Sequence, residues 1–349
     1  MTEVAERLRE RIAREGPIDF AEFMRAALYD PDGYYATGTP MGFAGDYLTA
    51  PETTPLFGAT LSRLAGATWR ALGRPDTFDV VDVGAGSGAL LRDLIGALRE
   101  DDPEAAFAAR FVAIEVSGAA DRAQARALGG FPVQRARSLE ALGPVAGLVV
   151  ANELLDALPF HLVTRRGGEV RELRVAVEGE RFAFVEAAPT DERLVSDAPP
   201  LDEGERAAVP LAAYEWLASL AFAIERGIAL VIDYPSRERA DVRTYFRHTS
   251  GGDPLERVGE QDLTAALYFA QLRRRAEDLG FEVLENLTQA EFLENLGFGD
   301  RVRAIGGGEP TDPIRQVKTA SARNAARAIV DPEGMGAFSV LVLAKGLRL

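Results

Sequence analysis

The chain opens with apolar positions at helical spacing and later changes to short runs that are nearly continuous in apolar residues. Residues 2–15 and 19–30 carry apolar side chains three and four apart, which predicts two helices, the second ending at the turn cluster "YDPDGYY". The next stretch, "ATGTPMGFAGDYLTAPETTP", has no apolar periodicity. A long loop of this kind in a compact protein is usually functional or disordered. A helix over 56–72 follows. Strands are then expected at 79–83, in "RFVAIEVS", near 132–136, at 147–151, and in "IALVIDY", "FEVLENL" and "FSVLVLAKG". Between them lie predicted helices over 89–99, 211–226 and 263–279 and a helical stretch over 289–330. Strands nearly continuous in apolar residues, alternating with helices, imply a mainly parallel sheet of about seven strands, covered on both faces. "HLVTRRGGEVRELRVAVEGERFAFVEA" breaks that rhythm with alternating strands and reads as an antiparallel insertion.

At residues 80–94, "VVDVGAGSGALLRDL", a buried strand breaks into three glycines and then a helix. Such a turn lets a ligand approach the backbone closely. Gly84, Gly86 and Ala89 fit the dinucleotide pattern G-x-G-x-x-A, which keeps a nicotinamide-dependent oxidoreductase as an alternative. Two details resist it. Glu115 follows a longer connection than the roughly 20 residues expected before the ribose-binding acid. Asp82 would also stand beside a pyrophosphate. S-adenosylmethionine has no phosphate and carries a cationic amino group and a sulfonium, so an acid at the strand end suits it. The turn from Gly84 through Gly86 to Gly88 would then seat the methionine part, and Glu115 would accept hydrogen bonds from the ribose hydroxyls. A tight strand–helix turn with no ligand is the plainer alternative.

Composition narrows the chemistry. The 349 residues include no cysteine and two histidines, which excludes thiol nucleophiles and zinc–thiolate sites and makes a polyhistidine metal site implausible. No metal is expected. The net charge of -15 argues against nucleic acid as a partner, and no apolar run reaches membrane-spanning length. A basic ligand or protein segment fits that field better. "MTEVAERLRERIAREG" is neither a secretory signal nor an acid-poor transit peptide, so a cytoplasmic location is expected.

"GPIDFAEFMRAALYDPDGYY", "GDYLTAPETTPLFG", "DVGAGSGALLRDL", "ANELLDALP" and "GMGAFSVLVLA" occur in the order found in the MidA-like proteins, which the chain resembles over nearly its whole length. These are class I S-adenosylmethionine-dependent methyltransferases whose mitochondrial member methylates an arginine during respiratory complex I assembly. The resemblance implies an α/β fold, a Rossmann-like seven-stranded sheet with an N-terminal helical lobe and an antiparallel β insertion. The implied division is a helical lobe and lid loop over 1–72 and a methyltransferase core over 73–349. The core carries the β insertion at about 161–188 and a helical insertion at about 289–330. It further implies S-adenosylmethionine as cofactor and a protein arginine as acceptor, a complex I subunit being one candidate. A non-catalytic assembly factor retaining the fold is the other alternative. The chain departs from the family at Asp82, Ala85 and Ala89 in the glycine turn, and at Ala266 and Tyr268, where a histidine and an aspartate are usual.

On the acceptor side, the resemblance places Asn152, Glu153 and Asp156 opposite the transferred methyl, with Asn152 also near the cofactor. At helical spacing Glu153 and Asp156 would share one face and grip a guanidinium, and one would accept its proton. Equally, Asn152 would serve as a helix N-cap with acids in the first turn. Tyr47 and Thr49, in the loop before the cofactor strand, are expected to contact cofactor or acceptor. Asp233 and Tyr234 end the fifth strand at the same edge. His248 is a candidate proton carrier, although a lone loop histidine is more often inert.

Overall fold

The computed structural model describes residues 2–37, 49–236, 240–247, 249–306 and 312–347. Its main sheet contains β1 (Phe78–Val83), β2 (Ala109–Ile114), β3 (Val133–Ala136), β4 (Val145–Asn152), β5 (Ile224–Asp233), β6 (Glu282–Thr288) and β7 (Ser339–Lys345). Their order is β6-β7-β5-β4-β1-β2-β3. Neighbours from β5 to β3 run parallel, whereas β7 is antiparallel to both β5 and β6. All seven strands fall where the apolar runs predict them. The chain moves outward from β1 to β3 and then returns to β4 on the other side of β1. That reversal opens a crevice at the carboxyl ends of the strands, the usual ligand position in open α/β sheets.

The centre of the sheet is held closely. Every residue of β1 is buried, including Asp79. Asp79 accepts from Arg110 Nε at 2.6 Å and from the Ala146 amide at 3.0 Å, so a charge inside the sheet is paired on both neighbouring strands. At Gly147 a Cβ would lie 1.9 Å from the Asp79 carbonyl oxygen, which leaves room for glycine alone.

The first five helices are α1 (Glu3–Glu15), α2 (Phe20–Tyr29), α3 (Ala50–Thr53), α4 (Leu56–Ala71) and α5 (Ala89–Asp101). α4 and α5 cover one face of the sheet. They approach so closely that a Cβ on Gly58 would meet the Leu90 carbonyl at 2.6 Å. α1 and α2 pack elsewhere. Phe20, Phe23 and Met24 share a separate core with Phe160, Leu162 and Val175 and with Leu263 and Ala265. Strands His161–Arg166, Glu169–Glu178, Arg181–Ala187 and Arg206–Val209 form an antiparallel sheet that residues 18–19 join through 174–175. The lobe is therefore assembled from the N-terminal helices, this insertion and a three-stranded sheet of Val242–Phe246, Thr249–Ser250 and Asp262–Ala265. The helix expected over 263–279 begins only at Phe269, because Asp262–Ala265 pairs antiparallel with 242–245. Tertiary pairing overrides the local helical pattern there.

Gly147→Val should destabilise the fold by about 3 kcal/mol or more, since the clash is with backbone that no rotamer relieves. Urea unfolding followed by circular dichroism measures this, and a midpoint equal to wild type would contradict the close strand approach.

Candidate cofactor and acceptor cavity

The turn after β1 is shaped by its left-handed glycines, with φ of +75° at Gly84, +50° at Gly86 and +84° at Gly88. The Gly84 and Ala85 amides both donate to the Ile114 carbonyl, at 2.9 and 3.0 Å. The end of β2 thereby holds the turn in place. Gly88 starts α5 and has no side chain to cap it, and the first helical amide, Ala89, donates instead to Ser87 Oγ at 3.3 Å. Over it lies a cavity of about 340 Å³. Its lining comes from the glycine turn, the ends of β1, β2 and β4, residues 137–140 beyond β3, and Tyr29, Tyr35, Thr49 and Glu52 from the lobe side.

Glu115 stands just past β2 and lines the cavity. Its carboxylate accepts from the Gly86 amide at 2.9 Å and the Ser117 amide at 2.8 Å, which fixes its direction and leaves lone pairs for hydroxyl donors. Asp82 is buried beneath the turn, and burial with the nearby Glu115 charge pushes its carboxyl up to about 7. Asp82 Oδ2 and Asn152 Oδ1 are buried without a partner among the described residues. Both residues line the cavity, and the orphan oxygens call for a donor from a ligand.

Glu153 adopts φ +51°, a left-handed conformation that costs a non-glycine residue about 1–3 kcal/mol. Its amide donates to the Ile232 carbonyl at 2.8 Å, and its Oε1 accepts from the Ala50 amide at 3.3 Å and Asn152 Nδ2 at 3.2 Å. Its remaining exposure is to the cavity. Loss of water around it, with Asp233 behind, pushes its carboxyl up to about 8.

Two expectations are corrected. Residues 153–157 form a non-helical turn, so Glu153 and Asp156 do not share a helix face and Asn152 caps no helix. Asp156 is buried behind the turn against Asp233 and does not line the cavity. The left-handed Glu153 reverses the chain immediately after β4, which separates the two acids. Thr49 lines the cavity at the start of α3. Tyr47 and His248 lie outside the described residues. Ala266 and Tyr268 are buried away from the cavity, the Tyr268 hydroxyl accepting from the Ala240 amide at 2.9 Å.

Sequence reading missed Tyr29 and Tyr35, whose "YDPDGYY" segment signals only a turn. Tyr29 donates to the Ala157 carbonyl at 2.8 Å, which fastens the lobe to the segment after β4, and Tyr35 donates to Asp262 Oδ1 at 2.9 Å within the lobe. It also missed Val116, 63% exposed on the cavity rim beside Glu115, where an apolar ring would cover it. An apolar residue directly after a strand-ending acid was the available signal. Glu52 of α3 hydrogen-bonds Ser87 in the glycine turn, so α3 closes over the turn.

These residues fit S-adenosylmethionine. Glu115 would take the ribose hydroxyls, Val116 and Leu139 the adenine faces, and Asp82 with Asn152 the cationic amino end. A dinucleotide pyrophosphate would instead meet Asp82 and Glu115 across the turn. The strand order, the glycine turn after β1 and the acid after β2 define a class I S-adenosylmethionine-dependent methyltransferase.

Comparison with known proteins agrees. The chain belongs to the MidA-like family: the family model described as "Putative S-adenosyl-L-methionine-dependent methyltransferase" matches residues 60–286. It is 31% identical to the Drosophila melanogaster protein arginine methyltransferase NDUFAF7 homolog, mitochondrial, over 79% of this chain and 70% of the relative. It is 28% identical to the Danio rerio mitochondrial protein arginine methyltransferase NDUFAF7, covering 98% and 87% of the two chains. The crystal structure of a Burkholderia thailandensis COG1565 superfamily member bound to S-adenosyl-homocysteine superposes with a TM-score of 0.87 at 28% identity, covering 99% of this chain and 92% of that one. The enzyme class and the cofactor follow from this family. The expected cytoplasmic location does not stand, because the curated relatives are mitochondrial by name.

Glu115→Ala should weaken S-adenosylmethionine binding roughly tenfold to a hundredfold, the loss of hydrogen bonds to a charged acceptor. Calorimetry with unchanged affinity in a folded variant would place the ribose elsewhere. Binding of S-adenosyl-homocysteine, whose amino group is cationic, should strengthen as pH rises through about 7, where Asp82 loses its proton. Asp82→Asn should flatten that dependence, and a persisting slope would assign it to another group.

Proposed function

We propose that the enzyme methylates an arginine side chain of a protein, with Glu153 as the residue that meets the guanidinium. The observation that carries this reading is a carboxyl group at the cavity wall, held in a strained conformation and short of a counter-charge. Glu153 has been pushed up to about 8 by burial, and a cation entering the cavity would restore its ionised form. Tyr29 and Tyr35 line the same cavity, their ring centroids 5.4 Å apart, and offer aromatic surface to a planar cation. The names of the fly and zebrafish relatives point the same way. A protein subunit of a respiratory complex is the acceptor this reading favours.

When bound, S-adenosylmethionine supplies an electrophilic methyl on sulfur and leaves as S-adenosyl-homocysteine. Glu153 would orient one guanidinium nitrogen toward that methyl. Glu153, as the carboxylate, would accept the proton that the guanidinium nitrogen gives up on methylation. Asn152, donating to Glu153, would keep the carboxylate turned to the cavity. α3 would exclude water from above through its ties to Glu153 and Ser87.

Glu153→Gln should leave S-adenosylmethionine affinity near wild type and depress methyl transfer by roughly a hundredfold or more, as expected for losing a general base or charged clamp. Acceptors are found by mass spectrometry of basic proteins from cells with and without the gene. Methylation of a verified acceptor at wild-type rate by this variant would remove Glu153 from the site, and a mark found only on lysine would remove arginine. With the wild-type enzyme, acceptor affinity should rise with pH through about 8 as Glu153 ionises.

A further inference from the structure

We infer that a second cavity, beside the one for cofactor and acceptor, is the docking subsite for another basic side chain of the acceptor protein, about two or three residues along from the target arginine. This rests on the proposed arginine acceptor and deepens it.

The second cavity has a volume of about 430 Å³. Three elements carry its walls on into those of the first. On α2, Glu22 and Arg25 line the second cavity and Tyr29 lines the first. Residues three and four apart share a helix face, so one face of α2 serves both. The helix Leu211–Ala223 repeats the pattern, with Ala212 and Glu215 in the second cavity and Trp216 and Ser219 in the first. The segment after β4 is the third wall: Ala157 and Leu158 line the first cavity, Pro159 and His161 the second. From Glu215 or Ala212 to Ser219 the helix rises about 6 to 10 Å, which roughly two or three residues of extended chain would span. A peptide whose arginine enters the first cavity can therefore lay a neighbouring side chain in the second.

What the second cavity offers first is a fixed hydrogen-bond acceptor. Behind His161, Glu172 is fully buried and accepts from the Thr190 amide at 3.0 Å and the Thr190 hydroxyl at 3.1 Å. Its Oε1 lies 3.0 Å from His161 Nδ1. Burial works against the Glu172 charge, but the hydrogen bonds from His161 and Thr190 outweigh it and hold the carboxyl below its usual range. An ionised carboxylate only accepts, so the His161 proton stands on Nδ1. Nε2 of the neutral ring is then an acceptor, without a protein partner among the described residues. It calls for a donor.

Charge selects which donor. Arg193 is shared by two acids of the lining, Asp191 at 2.6 Å and Glu215 at 3.0 Å. That side of the cavity therefore carries surplus negative charge. Across from it, Glu22 is met by Arg25 at 3.4 Å and by Arg11 of α1, while Asp19 accepts from the Glu22 amide at 2.7 Å and has no ion pair among the described residues. The Glu215 side chain is 63% exposed and keeps lone pairs for a second cation. A lysine or arginine side chain supplies both the donor and the charge.

The test uses calorimetry on the full chain saturated with S-adenosyl-homocysteine. The probes are glycine–serine peptides with one arginine, alone or with a lysine two or three residues before or after it. The best two-charge peptide should bind wild type roughly tenfold more tightly than the single-arginine peptide, the gain of a hydrogen bond to a charged group. His161→Asn puts an amide N–H where Nδ1 stood, which keeps the donor to Glu172 and removes Nε2. His161→Asn and Glu215→Lys should each cut the ratio by about threefold or more, with single-arginine and S-adenosyl-homocysteine affinities within about twofold of wild type. Glu104→Lys, in the helix Pro103–Ala108 on the other face of the main sheet, should keep the wild-type ratio. Equal binding of all the peptides by wild type, an undiminished ratio in both cavity variants, or an equal fall in Glu104→Lys would each overturn the inference. So would the absence of any peptide binding at millimolar concentration. Should His161→Asn fail to fold, the contrast between Glu215→Lys and Glu104→Lys decides. If lysine in place of the target arginine binds as well, the arginine reading falls, and the ratio still judges the subsite.

Discussion

The Ile114 carbonyl is the contact on which the cofactor half of the site depends. It accepts the amides of both Gly84 and Ala85, so the last peptide of β2 carries the turn that follows β1. That places Glu115, the next residue, against the Gly86 amide and holds Asp82 beneath. Three positive-φ glycines are the conformational requirement for this arrangement, and the parallel register of β1 with β2 supplies the distance. Without the register, acid and turn would not meet.

The acceptor half is arranged on a different footing. Its walls come from the segment after β4, from α3 and from the lobe, and their join is polar: Tyr29 to Ala157 and Ala50 to Glu153, with Tyr35 to Asp262 tying the lobe within itself. Several carboxyl groups are buried together here with little cationic compensation, and desolvation raises Asp82, Glu153, Asp156 and Asp233 alike. A site of this kind is intrinsically short of positive charge, which a cationic cofactor and a cationic acceptor would both provide.

The main sheet was legible because its central strands are nearly continuous in apolar residues, and β1 carries its own punctuation in the glycines; the edge strands β3 and β6 are more polar. Glu115 was legible for the same reason, as an acid ending an apolar run. The turn at 153–157 was not. Glu-x-x-Asp after an asparagine is the local pattern of a capped helix, and only the Asp233 carboxylate, about eighty residues on, makes the competing turn the better one. Asp262–Ala265 was hidden likewise, since its strand exists by pairing with 242–245. Tyr29 and Tyr35 were hidden because their function depends on where the lobe docks.

The lobe is built from distant pieces of chain, and this has a consequence for the order in which the molecule comes together. Residues 18–19 pair with 174–175, and the Thr2 hydroxyl donates to the Val258 carbonyl. A growing chain can align β1, β2 and β4 while the roof still lacks its partners, because closing such long loops is the slow part of assembly. The lobe's own core, Phe20, Phe23 and Met24 against Phe160, Leu162 and Val175, therefore waits on strands that follow β4 in the chain.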